Sequence, residues 1–122
     1  MGDVLVPPAG ATTTIPLTPE TRQAYKDLYA KAELAVQSTS DGTILGSLND
    51  TKDAIGAVLT ADNEARLAQD DASFKLVQAQ IKVASDAMKK LAADIASVAS
   101  TIKVFGDVAS GISTVLALVS AV

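Results

Sequence analysis

The sequence predicts an all-α protein, a helical bundle or coiled-coil-like assembly in which two short helices pack on one long C-terminal helix. Three observations predict it. Apolar residues recur at alternating three- and four-residue spacing over the second half of the chain. Helix start and stop signals punctuate the first half. Aromatics make up only 3% of residues, namely Tyr25, Tyr29, Phe74 and Phe105, so the core must be built from Ala, Val, Leu and Ile. At 122 residues the chain is the size of one domain.

Residues 1–17 read as an extended arm preceding a single helical domain at 18–122. Pro7, Pro8, Pro16, Gly10 and the Thr12–Thr14 run deny helix formation. Asp3 is the arm's only charge, which suits it either to lie on the bundle or to act as a free terminus. Thr18 then offers an N-cap, Pro19 suits the first helical position, and Glu20 sits at the positive end of the helix dipole. Tyr25, Leu28, Tyr29, Ala32 and Val36 share one face, predicting a first helix over about 18–37. Ser38-Thr39-Ser40-Asp41-Gly42 is turn chemistry.

A second helix is expected over about 48–60, with Leu48, Ile55, Val58 and Leu59 inward. Gly56 weakens it. The hydrophobic phase changes at Thr60-Ala61-Asp62-Asn63, which places the junction there. The long helix, about 62–122, follows. One seam position carries Leu67, Phe74, Ile81, Met88, Ile95, Ile102, Ala109 and Leu116. The other carries Asp70, Val77, Ala84, Leu91, Val98, Phe105, Ile112 and Val119. Only Asp70 breaks the apolar rule. One flank is made mostly of small residues (Ser85, Ala92, Ala99, Gly106, Ser113), which lets a neighbouring backbone come close and favours a bundle over a two-stranded coil.

Unbroken, such a helix would run roughly 80–90 Å, against roughly 30 and 20 Å for the other two. Two short helices cannot cover it. The surplus lies at the C-terminal end, where Val108 to Val122 carries no charge. Self-association or a protein partner is the first expectation. A break at Phe105-Gly106-Asp107 with residues 108–122 folding back is the second, and insertion of residues 104–122 into a membrane the third. Fifteen uncharged residues fall short of the ~20 that span a bilayer, and reaching that length takes in Asp107.

The chemistry available is narrow. Cysteine and histidine are absent, removing thiolate nucleophiles, the commonest general base and the usual zinc ligands. No Gly-x-Ser-x-Gly elbow, P-loop or dinucleotide glycine pattern is present. Asp70-Asp71 and the Asp62/Glu64 pair lack calcium-loop spacing and read as helix-start carboxylates. Net charge −4 and pI near 4.6 speak against nucleic acid. Lysines 75, 82, 89 and 103 form a stripe on the long helix, but most have a carboxylate four residues away, as on a solvated face.

The sequence therefore predicts no catalytic residue, cofactor or metal. It predicts a non-enzymatic structural or interaction protein that self-assembles or docks a partner. The expected interaction seam is Phe74, Val77, Ile81, Met88, Leu91, Ile95, Val98, Ile102, Phe105, Ile112, Leu116 and Val119. The alternative is a pore-forming or membrane-anchoring protein that inserts residues 104–122. Met1-Gly2-Asp3 offers no basic n-region, so no secretory signal is expected. That makes the cytoplasm the default compartment, with membrane association or signal-independent export as alternatives.

Overall fold

The computed structural model describes residues 15–98 and 103–119, and the described residues form four helices. They are α1 (Pro19–Ser38), α2 (Gly42–Ala68), α3 (Asp71–Ser97) and α4 (Lys103–Val119). Three begin on a side chain that accepts a hydrogen bond from an otherwise orphaned backbone N–H. Thr18 caps α1 through the Thr21 amide, Asp41 caps α2 through Ile44, and Asp70 caps α3 through Ser73. Asp70, the single polar break in the sequence seam, is thus a cap rather than a core position.

The protein is all-helical as expected, but two short helices do not pack on one long one. The second helix spans 42–68 rather than 48–60. Asp41 supplies the start signal, and burial of Ile44 and Leu48 outweighs the low helix propensity of Gly42 and Gly46. The junction at Thr60–Asn63 is continuous helix. Positions 44, 48, 51, 55, 58, 62 and 65 are all buried at alternating four and three spacing. Two of them are Thr51 and Asp62, and these polar residues on the inner face create the apparent change of phase. The real junction is Gln69, left-handed at φ 52°, followed by the Asp70 cap.

The long helix of 62–122 is likewise divided. Residues 62–68 belong to α2, and Leu67, placed in the seam by spacing, is 88% exposed. α3 ends at Ser97 and α4 begins at Lys103, so Gly106 lies inside a helix rather than at a break. The apolar surplus is resolved as a fold-back, with α4 laid along α1.

The connections at 39–41 and 69–70 are too short for anything but antiparallel neighbours. Thr114 and Leu118 near the end of α4 face Glu20 and Ala24 near the start of α1, so that pair is antiparallel too. Each helix packs on two others, giving an up-down-up-down four-helix bundle: α1 on α2, α2 on α3, α3 on α4, α4 on α1. Inner faces keep the four-three rhythm throughout, as in 21, 25, 28, 32, 35 on α1 and 105, 108, 112, 115, 119 on α4. The core is mainly aliphatic, with Tyr25 and Phe105 its aromatic members. Where α4 crosses α1, a Cβ on Gly111 would sit 3.1 Å from Leu28 Cδ1, so the glycine sets how closely these helices approach.

Candidate interaction surface

The seam residues do come together, but inside the chain. Val77, Ile81, Met88, Leu91, Phe105, Ile112 and Val119 are buried in the bundle core. Phe74, Ile95, Val98 and Leu116 are half-buried against it. Ile102 lies outside the described residues. A seam that read as one face of a single long helix, with its C-terminal end uncovered, belongs to two helices that fold toward each other and toward α1 and α2. What remains for a partner is the outside.

On α4 the outside is unusual. Gly106, Ser110, Ser113 and Ala117 are exposed and spaced four, three and four apart, which aligns them along one outward line. None carries charge or a large side chain. Gly106 faces open space, with nothing within 4 Å of a Cβ built on it. The helix's two charges, Lys103 and Asp107, pair with each other at 3.0 Å at its N-terminal end. Exposed large hydrophobics elsewhere are scattered: Leu34 on α1, Leu67 on α2, and Leu76 and Val83 two turns apart on α3.

The four sides of the bundle are unequal. α2 and α3 pack over most of their length, whereas α3 and α4 meet least. A depression of about 330 Å³ opens along the α3–α4 side, floored by Ile15, Ile81 and Val119 and walled by Gln78, Ser85 and Lys82.

Two polar clusters stitch the other sides. In the first, Asp62 is wholly buried and accepts from the Leu17 amide at 2.6 Å, from Arg22 Nη1 at 2.5 Å and from Arg66 Nε at 2.9 Å. Arg66 Nη2 donates in turn to the Leu17 carbonyl. Burial pushes the Asp62 carboxyl up, but the Leu17 amide and the two guanidiniums outweigh it and hold it below the ordinary carboxylate value. α1, α2 and the segment entering α1 are fastened at one point.

In the second cluster, Ser47 on α2 donates its hydroxyl to Asp94 on α3, and Lys90 Nζ reaches both Ser47 Oγ and Asp94 Oδ2 at 3.0 Å. A serine hydroxyl beside a lysine amine is the pairing of Ser–Lys hydrolases. Here Lys90 Nζ donates to the serine, the serine donates onward to Asp94, and Ser47 itself is only 2% exposed. Asp94 is held below its ordinary value by the Ser47 hydroxyl and then by Lys90. The trio fastens α2 to α3. Thr51, bonded to the Ser47 carbonyl at 2.8 Å, adds a longer contact to Ala87 on α3 at 3.4 Å.

The ties between helices join residues 40 or more apart and left no mark in the sequence spacing. The local signals were the four-residue pairs Asp62–Arg66 and Lys90–Asp94 and the polar residues at positions 51 and 62. Among the described residues no three acidic side chains gather to hold a metal ion, and no helix is long and apolar enough to cross a membrane. Comparison with protein-family models, curated proteins and solved structures finds no match to this chain.

Proposed function

We propose that this chain is a non-enzymatic structural module that assembles with a second copy of itself through the outward face of α4. One observation carries the reading. Gly106, Ser110, Ser113 and Ala117 form an exposed, charge-free line of small residues on the most apolar helix of an otherwise charged bundle. Such a line lets the backbone of another helix approach closely, and a two-fold axis across it pairs the same residues from both copies. The seam residues Phe105, Ile112 and Val119 serve this assembly indirectly, by fixing which side of α4 turns outward.

Size sets the expected strength. Seventeen residues of helix extend about 25 Å. Pairing over that length falls at the small end of specific interfaces, so association should be reversible and concentration-dependent. Because the chain has no cysteine, single introduced cysteines report contacts cleanly. Ser113→Cys should form an intermolecular disulfide on mild oxidation, while Ala79→Cys on the outer face of α3 should not. Equal cross-linking at both positions would refute a specific α4 interface.

A second reading, membrane association, is favoured by the same helix, whose charges are confined to Lys103 and Asp107. On this reading α4 swings out, leaving the α3 side where it is least attached. Liposome flotation separates the two. A membrane-active α4 predicts stronger binding by Asp107→Leu, and failure of both wild type and variant to float removes the reading.

A further inference from the structure

We infer that the cleft between the start of α1 and the end of α2 is a binding site for a multiply charged oxyanion of the phosphate class. The cleft, of about 430 Å³, is lined by Pro19, Arg22, Gln23, Lys26, Asn63 and Arg66. Three of the six are cations and none is an acid, in a chain whose net charge is −4. Among the described residues their ion pairs reach one carboxylate, Asp62, against three cations.

The arginines are held in place before any ligand arrives. Arg22 spends Nη1 on Asp62, and Arg66 spends Nε on Asp62 and Nη2 on the Leu17 carbonyl. Among the described residues, Arg22 Nε and Nη2 and Arg66 Nη1 have no protein acceptor. Because Asp62 has fixed each guanidinium plane, an incoming oxyanion meets donors whose rotamer freedom is already spent. Lys26 lies one turn beyond Arg22 on the same face, is exposed, and pairs with no carboxylate among the described residues. The Asn63 amide adds a neutral donor from α2, so donors from both helices line the cleft. A single carboxylate would leave much of this set idle. A phosphate or diphosphate, with several oxygens and about two or more charges, matches it.

The same chemistry belongs to a free phosphate compound or to a phospholipid headgroup, and the test separates them. Pyrophosphate is titrated into the full chain while amide resonances are followed by NMR. Vesicles of phosphatidylglycerol in phosphatidylcholine, and of phosphatidylcholine alone, are tested by flotation. Three variants accompany the wild type: Lys26→Glu and Asn63→Asp in the cleft, and Lys89→Glu on the α3–α4 side as a control of equal charge change. All three positions are exposed, and thermal unfolding checks that each variant folds.

Saturable shifts at Arg22, Lys26, Asn63 and Arg66, weakened about tenfold by Lys26→Glu as loss of one charge-assisted hydrogen bond requires, establish the site for a free phosphate. Lys89→Glu, which lines the α3–α4 depression and not the cleft, should leave those shifts in place, because exposed charges further apart than the ~8 Å Debye length are largely screened. Flotation with the anionic vesicles alone, abolished by Lys26→Glu, establishes the headgroup as the source. Absence of both responses overturns the proposal. So does binding that survives both cleft substitutions or falls equally with Lys89→Glu, since that reports only general charge.

Discussion

The bundle fixes its helices in two different ways. α1, α2 and α3 are tied by buried or half-buried polar groups, Asp62 with its two arginines on one side and Ser47 with Asp94 and Lys90 on the other. α4 is placed by shape. Val108, Ile112 and Val115 are buried, Gly111 nests on Leu28, and the side-chain hydrogen bonds of Lys103 and Thr114 stay within the helix. Polar ties set register strictly, because a slipped register strands a charge. Apolar packing tolerates displacement more smoothly. α4 is also the element that carries the exposed line of small residues from Gly106 to Ala117, its two charges being confined to the Lys103–Asp107 pair at its N-terminal end.

The largest expected effect is on the tied side. Asp62→Ala removes the acceptor of three hydrogen bonds and leaves Arg22 and Arg66 facing a cavity. Breaking a buried pair costs about 3–5 kcal/mol. Because Arg22 and Arg66 are 20% and 41% exposed and can turn to water, about 3 kcal/mol is expected, a fall in Tm of roughly 10 °C. The same carboxylate gives the tie its pH dependence. Its folded value is depressed, so its contribution is fully present above the unfolded value near pH 4 and is lost as pH falls through the lower folded value. Acid unfolding followed by circular dichroism should therefore be steepest below about pH 4, and shallower in Asp62→Asn.

On the packed side, Gly111→Leu drives a side chain into Leu28 and should cost about 2 kcal/mol by overpacking. Urea unfolding measures the loss, which should be unaffected by acid. The smallest effect has the opposite sign. Gly106→Ala places a methyl where nothing lies within 4 Å and should stabilise by about 0.5–1 kcal/mol through helix propensity. Two glycines five residues apart on one helix thus report its two faces, and a destabilising Gly106→Ala would mean that the outward face is already occupied.

Much of this architecture was legible in the sequence. The four-three rhythm identified the buried line of α3 (Val77, Ile81, Ala84, Met88, Leu91) and part of that of α4 (Phe105, Ile112, Val119), missing Val108 and Val115, and Thr18 marked the start of α1 correctly. The helix ends were hidden for specific reasons. Asp41 lay within what read as turn chemistry. Gln69 adopts the left-handed conformation usually left to glycine or asparagine. Asp62 read as a helix-start carboxylate because its partners, Leu17 and Arg22, are 45 and 40 residues away. The heptad rhythm ran on across the α3–α4 boundary because the two helices share one buried line, Val77, Ala84 and Leu91 continuing as Phe105, Ile112 and Val119. The other line shifts by one residue, from Ile81 and Met88 to Val108 and Val115. The candidate surface was half visible: the small flank containing Gly106 and Ser113 stood out, but its outward direction required the fold.

Sedimentation velocity on the wild type and on Ser113→Arg, across micromolar concentrations, tests the central claim most directly. The account predicts a wild-type monomer–dimer equilibrium that shifts with concentration and a variant that stays monomeric with an unchanged Tm. A wild-type chain that is monomeric throughout, or an oligomer that ignores the substitution, would contradict it.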